Sequence, residues 1–270
     1  MPFSFCCMNK RVTKFAACVE YDGSAFRGWQ RQPQVDTIQF RVEKALSRVA
    51  NEPIDTVVAG RTDAGVHATG QVIHFESSAR RQEYEWVMGG NSNLPKGVAL
   101  KWVTPIASNF HARHKAFQRS YRYVILNRPV RPTYLSNYVT WFYQPLDEKK
   151  MHQAGQYLLG EHDFTSFRAV GCQASHPVRT IKMLTVSRDS EMIYIDITAN
   201  AFLYNMVRII SGALMRVGQG KERPEWVRKV LLAQDRTVCS ATAPSSGLYF
   251  VGPQYDPDYG LPSLDNRPRF

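Results

Sequence analysis

The apolar run from Phe15 to Tyr21, broken only by Glu20, reads as a strand that stops at the Asp22-Gly23 turn. Asp36-Thr37 then supplies an N-cap, and Ile38, Val42, Ala45, Leu46 and Val49 recur at helical spacing with polar groups between them. Two strand-like runs follow, Thr56 to Ala59 and Gln71 to Phe75, and a third, Ala99 to Val103, lies beyond the Asn93-Leu94-Pro95 turn. Strand, helix, strand and strand with short connections make half of an α+β domain on an antiparallel sheet.

The second half has a similar outline. Ser120 to Leu126 alternates as a strand, and Asp147 caps a helix whose buried stripe is Met151, Ala154 and Leu158, with Tyr157 beside it and Gly160 at its end. Ile181 to Val186 and Met192 to Thr198 read as strands, and Asn205 to Val217 as a markedly apolar helix closed by Gly218. Pro224 suits the first turn of another helix, Glu225 to Ala233. The pattern predicts two α+β domains, 1–110 and 111–270, with the junction in 104–118 and an irregular tail after Pro253. No residue-level repeat connects them.

The 44% apolar and 12% aromatic content can supply full cores, so disorder is excluded as the default. Lys plus Arg outnumber Asp plus Glu by 34 to 23, which favours a polyanionic partner, nucleic acid or an anionic membrane. No acid occurs from Trp86 through Leu146, a stretch carrying Lys96, Lys101, Arg113, Lys115, Arg119, Arg122, Arg128 and Arg131. Tyr121, Tyr123, Tyr134, Tyr138, Trp141 and Tyr143 are interleaved with them. Cations track phosphates and aromatic faces stack on unpaired bases, so the mixture suits RNA better than duplex DNA. Many of these aromatics also alternate along strands and serve as core.

Cys6, Cys7, Cys18, Cys172 and Cys239 are odd in number and lack CxxC spacing, which points to a reducing cytoplasm rather than a disulfide framework. His111 and His114 are three apart with no evident third ligand, so no metal site is expected. The apolar opening Met1 to Cys7 is too short for a signal peptide, and no long apolar span follows; a soluble protein is expected.

The chemistry concentrates in Ala59-Gly60-Arg61-Thr62-Asp63-Ala64-Gly65-Val66-His67, a loop between two strands. Asp63 is the only carboxylate between Asp55 and Glu76, and Arg61 and His67 flank it. An acid among cations stays ionised and can serve as nucleophile, base or ion-pair anchor. An ordinary Asx-type turn would use the same residues. His67 reads as a loop hydrogen-bonder rather than a proton shuttle.

Taken with other segments, this loop resembles the TruA-type tRNA pseudouridine synthases. The matching pieces are Tyr21-Asp22-Gly23-Ser24 with Gly28-Trp29-Gln30, the run from Ala59 to Phe75, Asn93-Leu94-Pro95 and Phe110-His111-Ala112-Arg113. Arg119-Ser120-Tyr121-Arg122-Tyr123 and His162-Asp163-Phe164-Thr165-Ser166-Phe167-Arg168 continue the match. Ala199-Asn200-Ala201-Phe202 leads on to Met206-Val207-Arg208, and Thr242-Ala243-Pro244 to Gly247-Leu248-Tyr249. The pieces are collinear from about residue 15 to 255. Where this chain has Asn205, the family commonly has histidine, and no role is assigned there.

The resemblance implies two ferredoxin-like halves, antiparallel sheets flanked by helices, with the active-site cleft between them. It implies a homodimer that isomerises uridines 38, 39 and 40 of the tRNA anticodon stem-loop without cofactor or metal. By motif, Asp63 would be the catalytic aspartate and Arg61 its neighbour that enters the RNA stack. Tyr121 would stack on the target base, and Arg208 would pair with Asp63, holding the carboxyl below its usual range. Arg208 could instead pair with Glu191 or Asp196. Neither a membrane nor DNA is an expected partner. A non-catalytic RNA-binding protein or RNA chaperone on the same scaffold would explain the basic stretch, but not the acid amid cations. An aspartate-dependent hydrolase would need an acid pair or metal cluster that the sequence lacks.

Overall fold

The runs read as strands and helices form them, and the strands join a single sheet. The computed structural model describes residues 12–262 and 266–270; Cys6, Cys7 and the apolar opening lie outside them. The first half runs β1 (Thr13–Tyr21), α1 (Ile38–Ala50), β2 (Val57–Val58), β3 (His67–Ser77), α2 (Glu83–Asn93) and β4 (Val98–Pro105). The second runs β5 (Gln118–Asn127), β6 (Thr140–Phe142), α3 (Glu148–Gln156), β7 (Gly160–Asp163), β8 (Val178–Asp189), β9 (Met192–Ala199), α4 (Met206–Gly218) and α5 (Glu225–Ala233). A last strand, β10 (Leu248–Gln254), closes the order.

The sheet reads β4-β1-β3-β10-β5-β9-β8-β7, with β2 on β3 and β6 on β5. Neighbours are antiparallel except β10 with β3 and β5 with β6. The class is α+β. β10 comes from the end of the chain yet lies between the halves, parallel to β3 at Tyr249↔His67 and antiparallel to β5 at Phe250↔Tyr121.

Two apolar clusters bury the helices. One packs Phe15, Val19, Ile38, Val42, Leu46 and Trp86 with Phe250 of β10. The other packs Tyr123, Ile195, Ile209, Ala213 and Leu214 with Val66, a residue of the Asp63 loop. Each therefore reaches across the junction, and Tyr121 touches both. The opposite sheet face holds a cross-strand ion pair, Arg122 with Asp196, bidentate at 2.7 Å and buried. A charge pair this dry is sound only when its remaining donors are satisfied; Arg122 Nη1 also donates to Pro268 O at 2.9 Å.

The apolar pattern predicts no helix between β3 and β4, yet α2 stands there. Only its Trp86 and Gly90 are buried, so there is little apolar periodicity to detect. A capping box forms it instead: Gln82 accepts from the Glu85 backbone, and Glu85 Oε2 accepts from Gln82 N at 2.7 Å. Asp147 caps α3 as expected, accepting from Lys149 N and Lys150 N. Thr37 stands at the N-cap of α1 without a side-chain cap bond, and Asp36 binds Arg41. Among the described residues no helix is long and apolar enough to cross a membrane.

Phe250 is fully buried at the junction, so Phe250→Ala removes apolar packing from the strand that joins the halves. A loss of roughly 3–5 kcal/mol is expected, read as a lowered midpoint in urea denaturation. A change under about 1 kcal/mol would mean the joint is made elsewhere.

Candidate active site

The strand pair β2–β3 and the segment 21–29 form a mould for the Asp63 loop. Ala59 N donates to Val72 O at 2.9 Å, and Gln71 Nε2 donates to Gly60 O at 2.7 Å and to the Tyr21 hydroxyl at 3.3 Å. That hydroxyl shares a 2.7 Å hydrogen bond with Thr62 Oγ1, Trp29 N donates to Thr62 O at 3.0 Å, and Val66 N closes the turn onto Asp63 O at 3.1 Å. Two glycines allow the close approach. A Cβ on Gly23 would stand 2.0 Å from Val66 O. Gly28, at φ +90°, would bring one to 2.8 Å from Thr62 O. The Asp22-Gly23 and Gly28-Trp29 pieces thus have a physical task.

His67 fastens this mould to the second half. Its Nδ1 accepts from Gly23 N at 3.1 Å, which leaves the proton on Nε2, facing Asn137 O at 2.9 Å and Ser246 O at 3.2 Å. Burial pushes its pKa down, outweighing Asp22 beside it. A buried, neutral, fully bonded imidazole holds segments together and is not placed to shuttle a proton.

The loop opens into a cleft of about 1020 Å³ walled by both halves. Asp63 is the only carboxylate among its lining residues, which include Arg61, Arg113, Arg119 and Arg179. Among the described residues no side chain donates to the Asp63 carboxylate, and no cation lies within 4.0 Å of it. Burial raises its pKa above the ordinary carboxylate value, while the charge of Arg208 pulls it back down. The expected close pair is therefore not formed, and the expected net depression gives way to a rise.

Arg208 is instead tethered at a distance. Its Nε donates to Ala243 O at 2.8 Å and its Nη1 to Asn205 Oδ1 at 3.0 Å. Asn205 sits in the left-handed region at φ 58° at the N-cap of α4, with its side chain turned to Arg208. Neither alternative partner is involved: Asp196 is held by Arg122 and Glu191 by Arg128 at 3.1 Å.

Tyr121, in β5, forms part of the cleft wall. Its ring meets Phe202 edge-on and Phe250 at a tilt, both at 5.0 Å between centroids. Burial, Tyr21 and Asp63 all raise its pKa, so the phenol stays neutral. Arg61 is exposed at the cleft. Asp63, Tyr121 and Arg61 thus share one cavity, with Arg208 close enough to act on Asp63 through space. Phe202, Phe250, Asn205 and Gln71 are site residues that sequence reasoning missed. Phe202 and Gln71 carried a signal in their places within the Ala199 to Phe202 and Ala59 to Phe75 motifs, and Asn205 as a departure from the family's histidine; Phe250 carried none.

The acid-free stretch is less uniform than its composition suggests. Lys101 pairs with Glu20 at 3.4 Å, and Arg122 and Arg128 are paired as described. Arg119 is spent on main-chain carbonyls. Lys96, Arg113, Lys115 and Arg131 remain at least partly open to solvent. The rings of His111 and His114 lie 4.2 Å apart, and His111 Nδ1 accepts from Arg113 N and His114 N at 3.2 Å. Among the described residues no group of three or more His, Cys, Asp or Glu is disposed to hold a metal.

The chain is similar in sequence to known proteins. A family model described as tRNA pseudouridine synthase matches residues 17–115 and 154–256. The chain is 50% identical to tRNA pseudouridine synthase A of Vibrio cholerae serotype O1 (strain M66-2), over 95% of this chain and 97% of that protein. It is 50% identical to the protein of that name from Aliivibrio fischeri (strain MJ11), over 95% and 98%. The same named protein of Escherichia coli O1:K1 is 51% identical over 96% of both chains. The collinear motifs, the carboxylate loop they surround and these matches lead to one assignment: the chain belongs to the tRNA pseudouridine synthase family.

Proposed function

We propose that this protein converts uridine to pseudouridine at positions 38, 39 and 40 of the tRNA anticodon stem-loop, with Asp63 as the catalytic carboxylate. The observation that carries the reading is an acid with no bonded partner among the described residues, in a cleft lined by arginines. A non-catalytic RNA binder gains nothing from such a group, which repels phosphate and is costly to desolvate.

The reaction is an isomerisation. The bond from the ribose C1′ to uracil N1 breaks, the base turns, and C1′ bonds to C5; the C5 proton leaves and N1 gains one. No electrons or groups enter, so the residues need only activate, hold and release. A carboxylate free of hydrogen bonds can attack the ring or act at the ribose. The target must first leave its stack, at a cost of roughly a few kcal/mol. Arg61, long, planar and exposed, suits the vacated space, and the Tyr121 ring suits the extruded base. Arg113 and Lys115, exposed beside the cleft, suit the flanking phosphates. Residues 1–110 and 111–270 act as two units that share the cleft, in a homodimer whose second subunit extends the tRNA-binding surface.

Asp63→Asn keeps shape and removes charge. Release of tritium from tRNA labelled at uridine C5 should vanish, while the urea midpoint at neutral pH stays equal or rises because a desolvated charge is gone. Appreciable release would sink the assignment.

Arg208→Met removes the charge that favours ionised Asp63. The acid limb of the single-turnover rate should move to higher pH, and Arg208→Lys should restore part of the shift. An unmoved limb in Arg208→Met would show that the two are not coupled.

Replacing Arg113 and Lys115 by alanine should flatten the slope of log affinity for tRNA against log salt by about 0.7–0.9 for each phosphate no longer neutralised. An unchanged slope would put the RNA track elsewhere.

A further inference from the structure

We infer that Arg119 is a positioning residue, whose guanidinium fixes the Asp63 loop against the second half and so sets the mouth of the cleft. Among the described residues its side chain makes four hydrogen bonds, all to main-chain oxygens. Nη1 donates to Ala116 O at 2.8 Å and to Asn200 O at 3.0 Å. Nη2 donates to Ala59 O at 3.3 Å and to Arg113 O at 2.5 Å. These carbonyls belong to three chain segments. Ala59 leads directly into Gly60-Arg61-Thr62-Asp63, Arg113 and Ala116 belong to the connection between the halves, and Asn200 begins the loop that ends at Asn205 and α4.

Among the described residues no carboxylate lies within 4.0 Å of Arg119, and burial lowers its pKa. A cation without a counter-ion is an expensive fastener unless the converging carbonyl dipoles need a flat, forked donor. Only arginine offers that many donors in one plane; a lysine ammonium offers three, arranged as a cone. The bonds tie the loop bearing Asp63 to the approach of α4, which carries Arg208. Their length therefore controls the separation across which Arg208 acts on Asp63. Arg119 faces the cleft and belongs to the basic stretch, so its charge alone suggests a phosphate ligand; its hydrogens, engaged by carbonyls, argue for the main chain.

The inference rests on the reading that Asp63 is catalytic, and the test separates the two. Arg119→Lys keeps the charge and loses the fork, and Arg119→Met loses both. In Arg119→Lys, amide hydrogen exchange across residues 57–66 should quicken by about tenfold or more, a local loosening independent of activity. Its single-turnover rate on tRNA should fall about tenfold to a hundredfold, as expected for a displaced reacting group. Affinity for tRNA should stay within about twofold, and the salt slope should not change.

Unchanged exchange in 57–66 would overturn the inference, as would a full parental rate in Arg119→Lys. A salt slope reduced by about 0.7–0.9, with the rate recovering at saturating tRNA, would make Arg119 a phosphate ligand instead. If Asp63→Asn proved active while the lysine variant still loosened 57–66, the catalytic reading would fall and the fastening of the loop would stand. Should Arg119→Met fail to fold, the lysine variant alone decides.

Discussion

The pairing of β10 with β3 on one side and β5 on the other is the constraint on which the rest depends. Each half can bury helices on its own strands, but the cleft exists only where the two helix layers meet over a continuous sheet. Inserting residues 248–254 between the halves sets that spacing to one strand width. It also puts Phe250 under Tyr121 and against the first core, so the floor of the cleft and the joint are the same residues. Because β10 is parallel to β3 at His67, the strand that receives the end of the Asp63 loop is held from the second half as well as the first.

On that frame the cleft concentrates its cost in one group. Glu52 shows the ordinary condition of a carboxylate. It accepts hydrogen bonds from Ser77 and Ser78, which pull its pKa down to about 2. Its contribution to stability is present above its unfolded value and is lost only as pH falls through about 2. Asp63 is the reverse case. Its folded pKa lies above the usual 3.8, so between the two values the folded chain binds more protons than the unfolded one. Stability falls as pH rises through that window, and the full penalty is present at neutral pH. A fold keeps such a group only if something else depends on it.

How much of this was legible in the sequence follows from how local each cause is. Alternation marked β5 and helical spacing marked α1 and α3, because burial on one face leaves a period in the chain, while β1, β8, β9 and α4 showed as apolar runs. α2 left none, since a capping box and a single tryptophan form it. β10 was a short apolar run whose meaning lay in partners more than a hundred residues away. Asp63 stood out as the lone acid of its loop, whereas the charge balance around it did not. Desolvation depends on which segments close over a group, and the sequence does not state that. Composition likewise showed a basic stretch but not that Lys101, Arg122 and Arg128 are neutralised at home.

In the distance between Arg208 and Asp63, frame and cost meet. A bidentate arginine would satisfy the carboxylate, depress its pKa and occupy the lone pairs that a reacting carboxylate must offer. No cation at all would leave burial unopposed in raising its pKa. The structure takes neither course. Ala243 O and Asn205 Oδ1 hold the guanidinium back through its Nε and Nη1, so its field favours the ionised form without a bond to the carboxylate. On the catalytic reading of Asp63, an acid kept charged yet unbonded is the condition for attack on a base or ribose brought into the cleft. The tether on Arg208 and the carbonyls around Arg119 are then two sides of one requirement, that this separation be fixed by the main chain rather than closed by the attraction of the charges.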